Sequence, residues 1–171
     1  MDKNSSKPIT NTQFITRTAV LLAITIIIQF IKMPQLITGS LVNTMLIIAA
    51  GLVGMWSGIT IGLLTPIIAF AVGIMGFPIM IPFIMIGNAL YVLLYSLIKN
   101  KIVSMIIGSI VKFLWLSISV KYLLNLFNVK VPLKIVQAFT LPQLITALTG
   151  GIIALIFISL MNNYFAKAKQ E

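Results

Sequence analysis

One residue of this 171-residue sequence carries most of the chemical information. Lys112 sits inside the run IIGSIVKFLWLSI, where every neighbour is apolar, small or a hydroxyl. Few other groups could react. The sequence has no histidine and no cysteine, and its only acids are Asp2 and Glu171. That excludes thiol and imidazole chemistry, disulfides, ordinary zinc sites and paired-carboxylate acid–base mechanisms. It also excludes proton and cation relays built on carboxylates at membrane depth. Recognition, passage or assembly within a membrane is what remains.

A lysine near the centre of a bilayer costs about 2.5–3.5 kcal/mol on insertion scales unless it finds water or a partner. With no carboxylate in the apolar stretches, its partner must be backbone, polar side chains, water, a lipid headgroup or a bound anion. Gly108, Lys112, Trp115 and Ser119 follow the i, i+4, i+7, i+11 spacing and share one helix face. A cation beside an indole and a hydroxyl makes a wall for a small carboxylated or heterocyclic ligand. The competing reading has the long side chain snorkel to an interface. Asn43, Asn88 and Gln143 are the hydrogen-bonding candidates for the same site, although interhelical bonds that fix packing would use the same residues. Trp115 taken alone suits a lipid-facing anchor as well as a stacking surface.

These residues need elements to hold them, and the composition says which. Hydrophobic residues make up 60% of the chain and charged ones 8%, where a soluble domain is nearer half and a quarter. After a polar tail, residues 1–13, six apolar stretches run at about 14–32, 42–57, 58–76, 81–98, 102–124 and 139–165. A short tail, 166–171, ends the chain. Each stretch approaches the roughly 20 residues that cross a hydrocarbon core of about 30 Å, and only helices satisfy their own backbone there at such lengths. The expected fold is therefore all-α, an integral membrane bundle of six transmembrane helices with both termini cytoplasmic. The first stretch is too long for the apolar part of a signal peptide and no small-x-small site follows it, so it is expected to stay.

Gly54 to Gly58 form the only break between the second and third stretches. A tight turn there gives six spans; one long kinked helix would give five. The segment 125–137 mixes apolar residues with Lys130, Lys134 and Pro132, which fits an interfacial helix or a loop. The formal net charge is +10, yet the basic residues stand singly between apolar runs and form no patch for nucleic acid. They mark loops and meet anionic lipid headgroups. Six spans from a cytoplasmic N-terminus put Lys3, Lys7, Arg17, Lys99, Lys101, Lys167 and Lys169 inside and Lys32, Lys121, Lys130 and Lys134 outside.

That alternation also sets depth. Gln29 and Asn43 fall near the outer ends of their helices, Thr65 with Pro66 and Asn88 near mid-depth, and Gln143 with Thr146 in the outer part of the last helix. Hydrogen-bonding groups thus gather in the centre and outer half, and Pro66, Pro82 and Pro142 interrupt helical bonding in the same region. Both features place a cavity toward the outside. Small residues one turn apart, Ala19 with Ala23 and the series Gly54, Gly58, Gly62, allow close helix approach.

Arg17 just before Ala19-xxx-Ala23, Gly39 and Asn43 before the second helix, the stretch GSLVNTMLIIAAGLVGMWSGITIGLLTPIIAF, and IGNALYVLLY from Ile86 to Tyr95 give the chain its likeness. Over residues 14–165 it resembles the substrate-binding S components of energy-coupling factor (ECF) transporters. The resemblance implies six helices and an outward-facing pocket for a vitamin or vitamin precursor. It also implies that Ala19 and Ala23 contact a transmembrane coupling protein joined to two cytoplasmic ATPases, and that the loaded subunit topples to release substrate inward. The S component would be no enzyme and would need no cofactor or metal; indeed no GxxxxGK[ST] phosphate loop occurs. Two other readings stay open from the residues alone. A structural or assembly subunit would pair its intramembrane polar groups among themselves and leave no outer cavity, and a small anion channel would need a continuous polar lining.

Overall fold

The computed structural model describes residues 10–167, and among these the chain is helical with no strand. Six long helices form the bundle. They are α1 (Asn11–Phe30), α2 (Gln35–Leu52), α3 (Met55–Ala71), α4 (Ile81–Leu97), α5 (Lys101–Ile118, prolonged by a π-helical turn, Ser119–Leu123, to Leu126) and, after a short helix α6 (Leu133–Ala138), α7 (Leu141–Lys167). Five helical segments are long and apolar enough to cross a membrane; α3 is the shorter sixth. At about 1.5 Å per residue the 17 residues of α3 sit at the low end of a spanning length.

Local chemistry moves several boundaries. The first helix starts at Asn11 rather than Phe14, because Thr10 and Gln13 form a reciprocal capping box that begins it before the apolar run. Lys3 and Lys7 of the tail, and Lys169, lie outside the described residues. α2 starts at Gln35, right after Pro34, seven positions before the expected residue 42. The break between α2 and α3 is a turn at Val53 and Gly54, so there are two helices and not one. Both N–H groups return to the Ala49 carbonyl at 3.0 Å. Gly54 has φ 137°, a backbone state for which glycine is suited. The segment 125–137 resolves into a turn and α6, whose Ile135 and Val136 join a cluster with Leu116 of α5 and Val120 and Leu124 of its extension.

The bundle mixes apolar and polar groups within and is apolar without. Leu46, Ile47, Ile61, Tyr91 and Val92 form the core, together with buried Thr18, Thr25, Asn43, Ser57, Asn88, Ser109, Lys112 and Thr146. Ile27, Phe30, Trp56, Ile107, Ile156 and Leu160 point outward. Without water to drive association, helices in lipid are held by close packing and interhelical hydrogen bonds, and the contacts match. α2 lies along α7, where Thr44 Oγ1 donates to the Gly150 carbonyl at 3.0 Å and Ser40 Oγ meets Thr149 Oγ1 at 2.7 Å. A Cβ on Gly150 would collide with the Ser40 carbonyl. α1 joins α3 through Thr18 Oγ1, which donates to Ser57 Oγ at 2.8 Å.

The α1–α2, α3–α4 and α5–α7 connections all border one cavity. The helix ends that flank the α2–α3 and α4–α5 turns, Gly51 and Met55 with Leu97 and Lys101, line a second recess together with Ile158 and Asn162 of α7. The spans therefore alternate, and the start of α1 and the end of α7 share the end opposite the cavity.

Candidate functional site

Lys112 is held at the floor of that cavity, 3% exposed. Its Nζ donates to Asn43 Oδ1 of α2 at 2.5 Å and to Asn88 Oδ1 of α4 at 2.7 Å. The Tyr91 ring centroid lies 5.5 Å from Nζ, within cation–π range. One cation thus ties three helices together. Two of its three N–H donors go to amide oxygens, and among the described residues no third acceptor and no carboxylate reaches it. Uncharged partners solvate the ammonium without cancelling its charge.

The amides are aimed by a second layer of bonds, and the sequence shows why. Pro66 has no N–H, so the Gly62 carbonyl one turn earlier in α3 loses its helical donor. Asn88 Nδ2 fills that place at 2.9 Å, which turns Oδ1 toward Lys112. The approach depends on glycine, because a Cβ on Gly62 would lie 2.9 Å from Asn88 Cβ. The expectation that Pro66 frees backbone for the cavity is thereby refined: the freed carbonyl is taken by Asn88. Asn43 is held more loosely, its Nδ2 donating to Thr146 Oγ1 at 3.4 Å. Thr146 in turn donates to the Gln143 carbonyl at 3.2 Å. Tyr91 Oη donates to the Ala147 carbonyl at 2.7 Å, fixing the ring below the lysine.

The cavity has a volume of about 610 Å³, within the usual range for small-molecule sites. Asn43, Asn88, Lys112 and Gln143 all line it. The structure brings together four of the five residues singled out from sequence. Gln143 stands nearer the rim, where its Nε2 and that of Gln35 both donate to the Ala138 carbonyl, at 3.4 and 3.1 Å. Trp115 is placed elsewhere. Its indole Nε1 donates to the Phe83 carbonyl at 2.8 Å and its ring packs against Phe83 and Leu116, outside the cavity lining. The i, i+3 face shared with Lys112 is wide enough for the two side chains to point to different neighbours.

Sequence reading passed over Thr38 and the Gly73–Phe77 loop, which form part of the wall, and α6, whose Ile135 and Ala138 border it with Phe139. The polar character of Thr38 was a signal; the wall formed by α6 was not visible without the chain's return path. Midway along α1, Ala19 and Ala23 are exposed, flanked by exposed Ile15, Val20, Ile24 and Ile27, while Thr18 and Thr25 face inward.

A comparison with family models bears on this arrangement. The model described as ECF transporter, substrate-specific component, matches residues 13–163. The chain belongs to this family. It is thus a multi-pass membrane protein and the substrate-binding subunit, or S component, of an ECF transporter. Comparison with curated proteins and with solved structures gave no match. The S component's six described helices carry, on one end, a cavity with Lys112 at its floor and, on the other, the start of α1 and the end of α7.

Proposed function

We propose that this S component captures a small anionic nutrient, a vitamin or vitamin precursor with a carboxylate, from outside the cell and delivers it through an ATP-driven ECF module. The observation that carries the reading is Lys112, a buried cation solvated by two neutral amides at the floor of a cavity that opens at one end of the bundle. Asn43 and Asn88 position the ammonium, whose remaining donor meets the anion, and Gln143 supplies a hydrogen bond near the rim. Charge-assisted bonds of this kind are about twice as strong as neutral ones. Trp115 holds the α4–α5 contact through Phe83 and has no part in stacking.

The cavity end faces out, with both chain ends cytoplasmic, as the loop lysines suggest. The exposed Ala19 and Ala23 are the contact for the transmembrane coupling protein, which joins two cytoplasmic ATPases. The reading as a ligand-free assembly subunit foresaw the pairing of polar groups, which is found; it also foresaw no cavity, and the cavity favours substrate capture. The test is affinity. Lys112→Ala in folded protein should weaken binding of the small molecule released from the wild type by far more than twofold, and a change within about twofold would remove the assignment.

A further inference from the structure

Gln29 is the second polar group that the cavity isolates. It is 6% exposed, lies near the end of α1 and lines the same space as Lys112. The other amide and hydroxyl side chains of the lining are engaged: Asn43 and Asn88 with the lysine, Gln35 and Gln143 with the Ala138 carbonyl, Thr65 with the Ile61 carbonyl at 2.6 Å, and Thr38 with the Met33 carbonyl at 3.0 Å, while exposed Lys32 stands at the margin of the same space. Gln29 differs. Among the described residues nothing donates to or accepts from its side-chain amide, which offers one acceptor and two donors. A buried amide without a protein partner takes its hydrogen bonds from what fills the space beside it.

Gln29 and Lys112 come from different walls. α1 packs against α2 and α3, whereas α5 packs against α4 and α7. Between them the lining is largely apolar, with Pro66, Ala69, Phe77, Ile84 and Phe139. Resting on the reading above, we infer that Gln29 is a specificity-determining residue that reads an uncharged donor–acceptor group, an amide or the edge of a heterocycle, on the part of the substrate remote from its anion. The substrate class is then a small anion with an apolar body and a neutral hydrogen-bonding end. A simple fatty acid or an inorganic anion would leave the Gln29 amide unmatched, and sites built to hydrogen-bond a group reject analogues that lack it.

The absence of cysteine from the sequence makes the geometry directly testable, since Gln29→Cys introduces the sole thiol. Purified protein in nanodiscs would be treated with anionic sulfonatoethyl methanethiosulfonate and with its cationic trimethylammonium-ethyl counterpart, in Lys112 and Lys112→Gln backgrounds. The thiol should react with both reagents, and removing the cation should lower the anionic-to-cationic rate ratio by about threefold or more. No labelling, or an unchanged ratio, would overturn the placement of residue 29 in the same aqueous space as the lysine. In parallel, untargeted mass spectrometry would identify the small molecules released by heat from wild type, Gln29→Leu and Lys112→Gln. The inference expects an anion with a neutral hydrogen-bonding end on the wild type, and an occupancy at least about tenfold lower in both variants. Loss in Lys112→Gln alone, or a released anion without such a group, would overturn the role of Gln29 and leave anion capture standing. Equal occupancy in all three would overturn both.

Discussion

Replacing Asn88 by aspartate separates a lysine kept for the fold from one kept for an anion. The new carboxylate would stand where Oδ1 now accepts from Lys112 at 2.7 Å, and the donor that meets the Gly62 carbonyl at 2.9 Å would be lost. Opposite unit charges about 4 Å apart attract by about 4 kcal/mol at an effective dielectric near 20. Against that stand the desolvation of a buried carboxylate, of order several kcal/mol, and the orphaned Gly62 carbonyl, about 1–3 kcal/mol. The costs at least offset the attraction, so stability should fall by about 0–4 kcal/mol. An incoming anion has no such compensation. With the cation neutralised it loses an attraction of about 4 kcal/mol, close to a thousandfold in Kd. Thermal unfolding followed by tryptophan fluorescence gives the first quantity. Calorimetric titration with the molecule released from wild type gives the second. Folded Asn88→Asp protein that binds this molecule within about tenfold of wild type would refute the argument that the uncancelled charge of Lys112 is the anchor.

Pro66→Ala restores the helical donor to the Gly62 carbonyl, so unfolding temperature should hold or rise while affinity falls severalfold as the Asn88 amide loses its anchor; a variant with unchanged affinity would show that this carbonyl does not aim Asn88. Gly150→Ala drives a Cβ against the Ser40 carbonyl and should lower stability by about 1–3 kcal/mol, read as an earlier thermal transition. Trp115→Phe removes the bond to the Phe83 carbonyl, costing about 1 kcal/mol, and should leave ligand affinity unchanged within error of the titration. Ala19→Leu with Ala23→Leu adds bulk to an exposed face and should leave the isolated subunit's stability and affinity intact while preventing its co-purification with a coupling protein and two ATPases.

Hydropathy made the six spans legible, because a bilayer demands length and apolarity of every helix that crosses it. Their ends were less so. Thr10 and Gln13 begin α1 by capping, and Gln35 opens α2 after a proline, which are hydrogen-bond and backbone effects that an apolar average does not register. Lys112 was legible as a candidate because a cation has no cheap place in hydrocarbon, and distance from the loops put Asn88 at its depth; Asn43 was expected near the outer start of the second helix and reaches the lysine because α2 begins seven residues earlier, at Gln35. The direction of Trp115 was not: one helix face spans enough arc for the indole to reach Phe83 while the lysine reaches the cavity. Nor did spacing show that Pro66 frees a carbonyl for Asn88, since that depends on α3 and α4 meeting at Gly62. Gln29 could be placed near the outer end of α1, yet its isolation became visible only once every neighbouring amide and hydroxyl had a partner.

The measurement that bears most directly on the account is a structure of the S component purified with its native occupant. The account predicts a small molecule in the cavity between α1 and α5 with an anionic oxygen about 2.7–2.9 Å from Lys112 Nζ and with Asn43 and Asn88 still accepting from the same ammonium. An occupant that presents no negative group to Lys112, or a cavity filled only by a lipid chain, would contradict it.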